Sequence, residues 1–138
     1  MTPAGDAPTL ERPVPLTDVE TLRAMLERHE PVTVLDIRPS VERAEWSIPG
    51  SVHRDAYDAL RAGDPSALAD VALPIDRPVV TVCGAGRTSE IAAVELRRRG
   101  LDASSLMGGM KAWSLAWNTA ELSAPHATLI QFRRTGKG

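Results

Sequence analysis

The residues best suited to chemistry form one short segment, Cys83-Gly84-Ala85-Gly86-Arg87-Thr88-Ser89, which holds the only cysteine of the chain. It follows the clearest strand signal, Pro78-Val79-Val80-Thr81-Val82, and leads into a helical pattern over 89–99. In an open α/β sheet the loop after a strand's carboxyl end is where ligands bind. A helix start presents unpaired N–H groups and the positive end of the dipole, a natural site for an anion. A thiol placed there is favoured as thiolate, the form that attacks. Gly84 and Gly86 let the backbone curl so that several amides converge on one point. Arg87 adds a permanent positive charge, and Thr88 can donate a hydroxyl hydrogen bond. A lone cysteine is often just a small buried hydrophobe, but strand, cysteine, two glycines, arginine, threonine and helix in that order read as an activated nucleophile in an anion cradle.

The elements that must carry this loop can be read in outline. Thr17, with Glu20 three residues on, has capping-box spacing, so ordered structure is expected from Thr17 and a helix over 18–30, ended by Pro31. Val32-Thr33-Val34-Leu35-Asp36 reads as a buried strand. Ser40 is positioned to cap a short helix through Ala44, Pro49-Gly50 marks a turn, and Val52 lies on another brief strand. Residues 55–72 read as one or two short helices interrupted at Gly63-Asp64-Pro65. Gly100 ends the helix after Cys83, and three arginines in its last turn complement the dipole. Residues 103–106 read as a strand, and 110–117 as a helix opened by Gly108-Gly109. Strands alternating with helices predict an α/β fold around a mainly parallel sheet.

Composition narrows the function classes. The 138 residues fit one domain, and the 43% hydrophobic and 25% charged fractions are ordinary for a soluble protein. A net charge of -2 gives no reason to expect nucleic acid or an anionic membrane as partner. No apolar run approaches the roughly 20 residues that span a bilayer, and the N-terminus lacks a secretory signal pattern. One cysteine forms no internal disulfide, so the expected compartment is the cytoplasm. His29, His53 and His126 have no ligand spacing, so neither a metal nor another cofactor is expected. Residues 1–15 hold four of the eleven prolines and read as a flexible lead-in.

With these residues in place, the chain resembles the rhodanese family over most of 17–117. Val82-Cys83-Gly84-Ala85-Gly86-Arg87-Thr88-Ser89 is similar to the family's active-site loop. Leu35-Asp36-Ile37-Arg38, Glu42 and Ile48-Pro49-Gly50-Ser51-Val52-His53 match its upstream motif, and Met107-Gly108-Gly109-Met110-Lys111-Ala112-Trp113 matches its closing Gly-Gly-x-x-x-Trp element. The resemblance implies a three-layer α/β/α domain over 16–120. It also implies a sulfurtransferase in which a sulfane donor such as thiosulfate loads Cys83 as a persulfide, which passes sulfur to a thiol or cyanide. The amides of residues 84–89 would hold the persulfide's charge, Thr88 would give the side-chain hydrogen bond to that sulfur, and Arg87 would bind or steer the donor anion. Asp36 and Arg38 would form a supporting ion pair, and Trp113 would pack in the core.

Some positions depart from the family. Arg43, Trp46 and Ser47 stand where an aromatic, a glycine and a histidine are usual, and Trp46 puts a large ring near the expected rim of the site. The loop also resembles that of mercaptopyruvate sulfurtransferases, with Arg87 replacing a valine. A phosphatase cradle, Cys-x5-Arg, would need arginine where Ser89 stands. A non-catalytic sulfur carrier or interaction module is the stronger alternative. Residues 121–138 form a tail with a strand-like Leu129-Ile130-Gln131-Phe132. It resembles the junction to a metallo-β-lactamase-fold persulfide dioxygenase or hydrolase, fused or acting as partner.

Overall fold

The computed structural model describes residues 14–123, with side chains described through residue 116. Its strands are β1 (Leu16–Thr17), β2 (Thr33–Asp36), β3 (Val52–His53), β4 (Val79–Val82) and β5 (Ala103–Leu106). Its helices are α1 (Val19–Glu27), α2 (Ser40–Glu45), α3 (Tyr57–Arg61), α4 (Thr88–Arg98) and α5 (Gly109–Ser123). The strands make one sheet in the order β1-β5-β4-β2-β3, and every pairing is parallel. β4 is central and buried along its whole length, as a parallel strand covered on both faces must be.

The pleat sorts side chains into two cores. Leu35, Val79 and Cys83 join Leu60 of α3 and Ala92, Ala93 and Leu96 of α4 on one face. Val34, Val80 and Val82 join Val19 and Leu22 of α1 and Met110 and Trp113 of α5 on the other. Alternation with period two therefore produces the expected α/β/α layers. Trp113 is 4% exposed and packs in the second core.

Several local expectations need correction. Ordered packing begins before Thr17: Val14 packs against the first core, and the Pro15 carbonyl accepts from the Ser105 amide at 3.0 Å. Thr17 is in strand rather than at a helix cap, because its carbonyl accepts from Met107 N–H at 2.8 Å. Asp18 caps α1 instead, its carboxylate accepting from Thr21 N–H at 2.7 Å. The helix also stops short of 30. His29 takes a left-handed φ of 57°, and the Glu30 amide closes the end on the Met25 carbonyl at 2.9 Å. Ser40 does not cap α2; its amide and hydroxyl both bond to Asp55.

Within 55–72, α3 is followed by turns rather than a second helix. Arg99 spans these turns with 2.7 Å bonds to the Leu68 and Val71 carbonyls, a contact beyond the dipole role read for the arginines. α4 begins at Thr88, one residue early, and Gly100 follows its last turn as expected. α5 continues beyond 117 to Ser123. The lead-in over 1–13, His126 and the strand-like 129–132 lie outside the described residues. No helix among the described residues is long and apolar enough to cross a membrane.

Two predictions follow from the packing. Leu96→Ala, at a site fully enclosed by α4 and the sheet, lowers stability by about 2–5 kcal/mol in urea unfolding. The Asp18 carboxyl is held below the ordinary carboxylate range by the amide and hydroxyl of Thr21. Its stabilisation of α1 is therefore complete above the ordinary carboxylate pKa and fades as pH falls through the lowered one. The gap in urea midpoint between the protein and Asp18→Ala is expected to be open at pH 7 and to narrow under strong acid.

Candidate active site

Cys83 leaves the sheet one residue after Val82 and is 2% exposed. Its Sγ accepts the amide of Gly86 at 3.1 Å and the amide of Ser89 at 3.3 Å. The Ser89 hydroxyl stands 3.3 Å from the same sulfur, so the thiol donates to it. Three polar groups thus converge on a sulfur that also belongs to the hydrophobic core. A purely structural cysteine does not need them. Amides aimed at one atom stabilise negative charge there without reorganising, the principle of an oxyanion hole.

The loop is anchored at its start through its carbonyls. Met110 N–H donates to the Cys83 carbonyl at 2.8 Å, and Lys111 N–H to the Gly84 carbonyl at 2.9 Å. These donors are the orphan amides of the α5 start. Gly109 makes the approach possible: at φ 59°, a Cβ there would collide with the Cys83 carbonyl oxygen and lie 2.8 Å from the Gly84 carbonyl. Gly86, at φ 98°, faces the same junction from the loop side, where a Cβ would sit 3.0 Å from the Gly108 nitrogen. The Gly-Gly pair and the loop glycine are therefore one contact seen from both sides.

On the neighbouring strand, beside Val82, Asp36 forms a buried pair with Arg38. Arg38 grips the carboxylate in a fork, Nε to Oδ1 at 2.9 Å and Nη2 to Oδ2 at 2.7 Å. Its Nη2 also reaches the Trp46 carbonyl at 2.6 Å. Arg43 adds a second cation 3.5 Å from Asp36 and bonds the hydroxyl and carbonyl of Ser51. His53 Nε2 lies 2.8 Å from the Arg38 carbonyl. Asp36 pairs in register with Val82, so this network braces the strand end that delivers Cys83.

The structure sorts the residues expected at the site. Cys83, Gly86 and Ser89 meet at the sulfur, and Gly84 contributes its carbonyl to the α5 contact. Ala85 and Arg87 are exposed at the loop surface. Thr88 is buried, but the hydroxyl at Sγ is that of Ser89; the helix start turns residue 89 toward the sulfur. The Trp46 ring is half-buried against the Val34, Val82 and Trp113 core. Sequence reasoning missed Ser105, whose hydroxyl is 2.7 Å from that of Ser89, and the Arg43–Ser51 brace. Ser105 carries no local signal, since only the pairing of β5 with β4 brings it near. Arg43 was legible only as a departure from a family pattern.

Gly109→Ala is expected to cost about 2–4 kcal/mol in urea unfolding, from backbone strain and overpacking together. It is also expected to change the rate of Cys83 alkylation, because the loop carbonyls lose their anchor. Asp36→Ala leaves Arg38 buried without its counter-charge and is expected to cost about 3–5 kcal/mol in the same measurement.

Comparison with known proteins places these features in a wider set. The family model for the rhodanese-like domain matches residues 18–116. A tRNA sulfurtransferase from Desulfurococcus amylolyticus is 34% identical over 77 residues, which are 56% of this chain but only 14% of that protein. A rhodanese homologue from Thermus thermophilus superposes with a TM-score of 0.52 at 31% identity, over 71% of this chain and 99% of the other. A rhodanese-related protein from Thermoplasma volcanium gives a TM-score of 0.60 at 23% identity, over 74% and 92% of the two chains, a likeness of fold. With the family match spanning most of the chain and the Cys83 loop inside it, the protein belongs to the rhodanese-like domain family.

Proposed function

We propose that the protein is a sulfurtransferase that carries sulfane sulfur on Cys83. The observation that supports this best is the convergence of the Gly86 and Ser89 amides and the Ser89 hydroxyl on Sγ. A persulfide is an anion, and these groups favour the charge it brings. In the first half-reaction the Cys83 thiolate attacks the outer sulfur of a donor such as thiosulfate. An S–S bond forms on Cys83, the donor's S–S bond breaks, and sulfite leaves with the electron pair. In the second, a thiolate or cyanide attacks the outer sulfur and Cys83 departs as thiolate.

Burial of Cys83 to 2% exposure favours donors that present sulfur at a narrow tip, as thiosulfate does. Arg87, exposed at the loop, supplies charge to attract such a dianion before contact. Because the tRNA sulfurtransferase relative is matched over 14% of its length, its name supports sulfur transfer as a reaction class only; the acceptor in this proposal is a small thiol or cyanide. A module that only holds sulfur for a partner shares the first half-reaction and lacks turnover with small acceptors.

Incubation with thiosulfate is expected to add one sulfur atom, about 32 Da, to Cys83, removable by reductant. Cys83→Ser is expected to take up none, and cyanide or thiol to discharge the loaded protein with release of sulfur. Failure of every sulfane donor to load Cys83 would contradict the proposal. Arg87→Ala is expected to raise KM for thiosulfate several-fold while leaving kcat within about twofold, with the difference shrinking at high salt.

A further inference from the structure

We propose that Ser105, on β5, is a positioning residue that sets the direction of the Ser89 hydroxyl and so lets the site hold Cys83 both as neutral thiol and as anion. The inference rests on Cys83 being the nucleophile proposed above. Sγ, Ser89 Oγ and Ser105 Oγ form a continuous chain, with 3.3 Å between the first pair and 2.7 Å between the second. Ser89 and Ser105 are fully buried, so bulk solvent does not take either role.

A hydroxyl has one proton to donate and lone pairs to accept with. Against the thiol, Ser89 Oγ accepts S–H and turns its own proton toward Ser105 Oγ. Against the thiolate or persulfide there is no S–H. Ser89 then donates to sulfur, and the Ser105 hydroxyl reverses to donate to Ser89 Oγ. Two rotating hydroxyls thereby exchange a sulfur-compatible acceptor for a sulfur-compatible donor without moving a heavy atom. The backbone is fixed so that only these rotors adapt: the Thr81 hydroxyl ties down the Ser89 carbonyl at 2.6 Å, and the Ser105 amide is held by the Pro15 carbonyl at 3.0 Å. Without Ser105, the Ser89 hydroxyl loses the donor that supports its own donation to the anion.

The charged groups on the elements packed around Cys83 are shared by all variants of the test. They are Asp36 at the end of β2 with Arg38 and Arg43, Asp58 and Arg61 on α3, Arg87 before α4 and Glu90, Glu95, Arg97 and Arg98 on it, and Lys111 on α5. The test is a double-mutant cycle of Ser89→Ala and Ser105→Ala, read by the rate of iodoacetamide alkylation of Cys83 at neutral pH and by the rate of persulfide formation from thiosulfate. As the only cysteine, Cys83 gives an unambiguous alkylation signal.

The expected result is a fall of about three- to tenfold for Ser105→Ala, a larger fall for Ser89→Ala, and no further fall when Ser105→Ala is added to Ser89→Ala. A structural role for Ser105 instead gives the same loss in either background, and that outcome, or no loss at all, overturns the proposal. Should Ser105→Ala not fold, Ser105→Thr and Ser105→Val, nearly isosteric and differing in the hydroxyl, make the same comparison. Alkylation needs no sulfane donor. Absence of persulfide in the unsubstituted protein therefore contradicts sulfur transfer, while the cycle still decides the role of Ser105.

Discussion

The site depends on a loop that is anchored at its start through carbonyls and meets the sulfur further on through amides. The carbonyls of Cys83 and Gly84 are taken by the first amides of α5, at 2.8 and 2.9 Å, which fixes the start of the loop; the amides of Gly86 and Ser89, further along, face the sulfur. A hydrogen bond to a charged group contributes roughly 1.5–3 kcal/mol, so two amides aimed at one atom would favour an anion bound there. The sheet order makes the arrangement possible. β5 pairs directly with β4, Thr81 beside Ser105, so the chain leaving β5 starts α5 next to the point where Cys83 leaves β4. Only glycine at 109 lets the two backbones come this close.

At the end of β2 one buried carboxylate lies between two guanidinium groups. Asp36 would be a costly buried anion alone, and Arg38 an equally costly cation; paired in a fork and bonded on to the Trp46 carbonyl, they brace the strand end. Arg43, more exposed, ties the same carboxylate to the Ser51 turn. The polar groups that touch the sulfur itself are the amides of Gly86 and Ser89 and the Ser89 hydroxyl. Arg87, free to face solvent, is suited to encounter rather than to holding the bound atom.

Much of this was legible in the sequence because it is local. The strand into Cys83, the glycine loop, the helix after it and the alternation of strands and helices are all written in contiguous residues, and an α/β fold around a mainly parallel sheet follows from them; the three layers came with the family resemblance. What was not legible depends on distance. Ser105 acquires its place through β-pairing, and Ser89 rather than Thr88 reaches the sulfur because α4 starts at residue 88. Thr17 and Asp18 are both good caps by type; the edge strand claims the first and leaves the second for the helix. Arg99 looked like a dipole complement until the fold placed the 68–71 turns against it.

The central claim, that loop amides hold the charge of a sulfur carried on Cys83, is tested most directly by following the amide resonances of Gly86 and Ser89 in labelled protein as thiosulfate is added. Both amide protons are expected to move downfield together with the appearance of persulfide by mass, while amides remote from the loop stay in place. A Cys83 that loads with sulfur and leaves both resonances unmoved would contradict the claim.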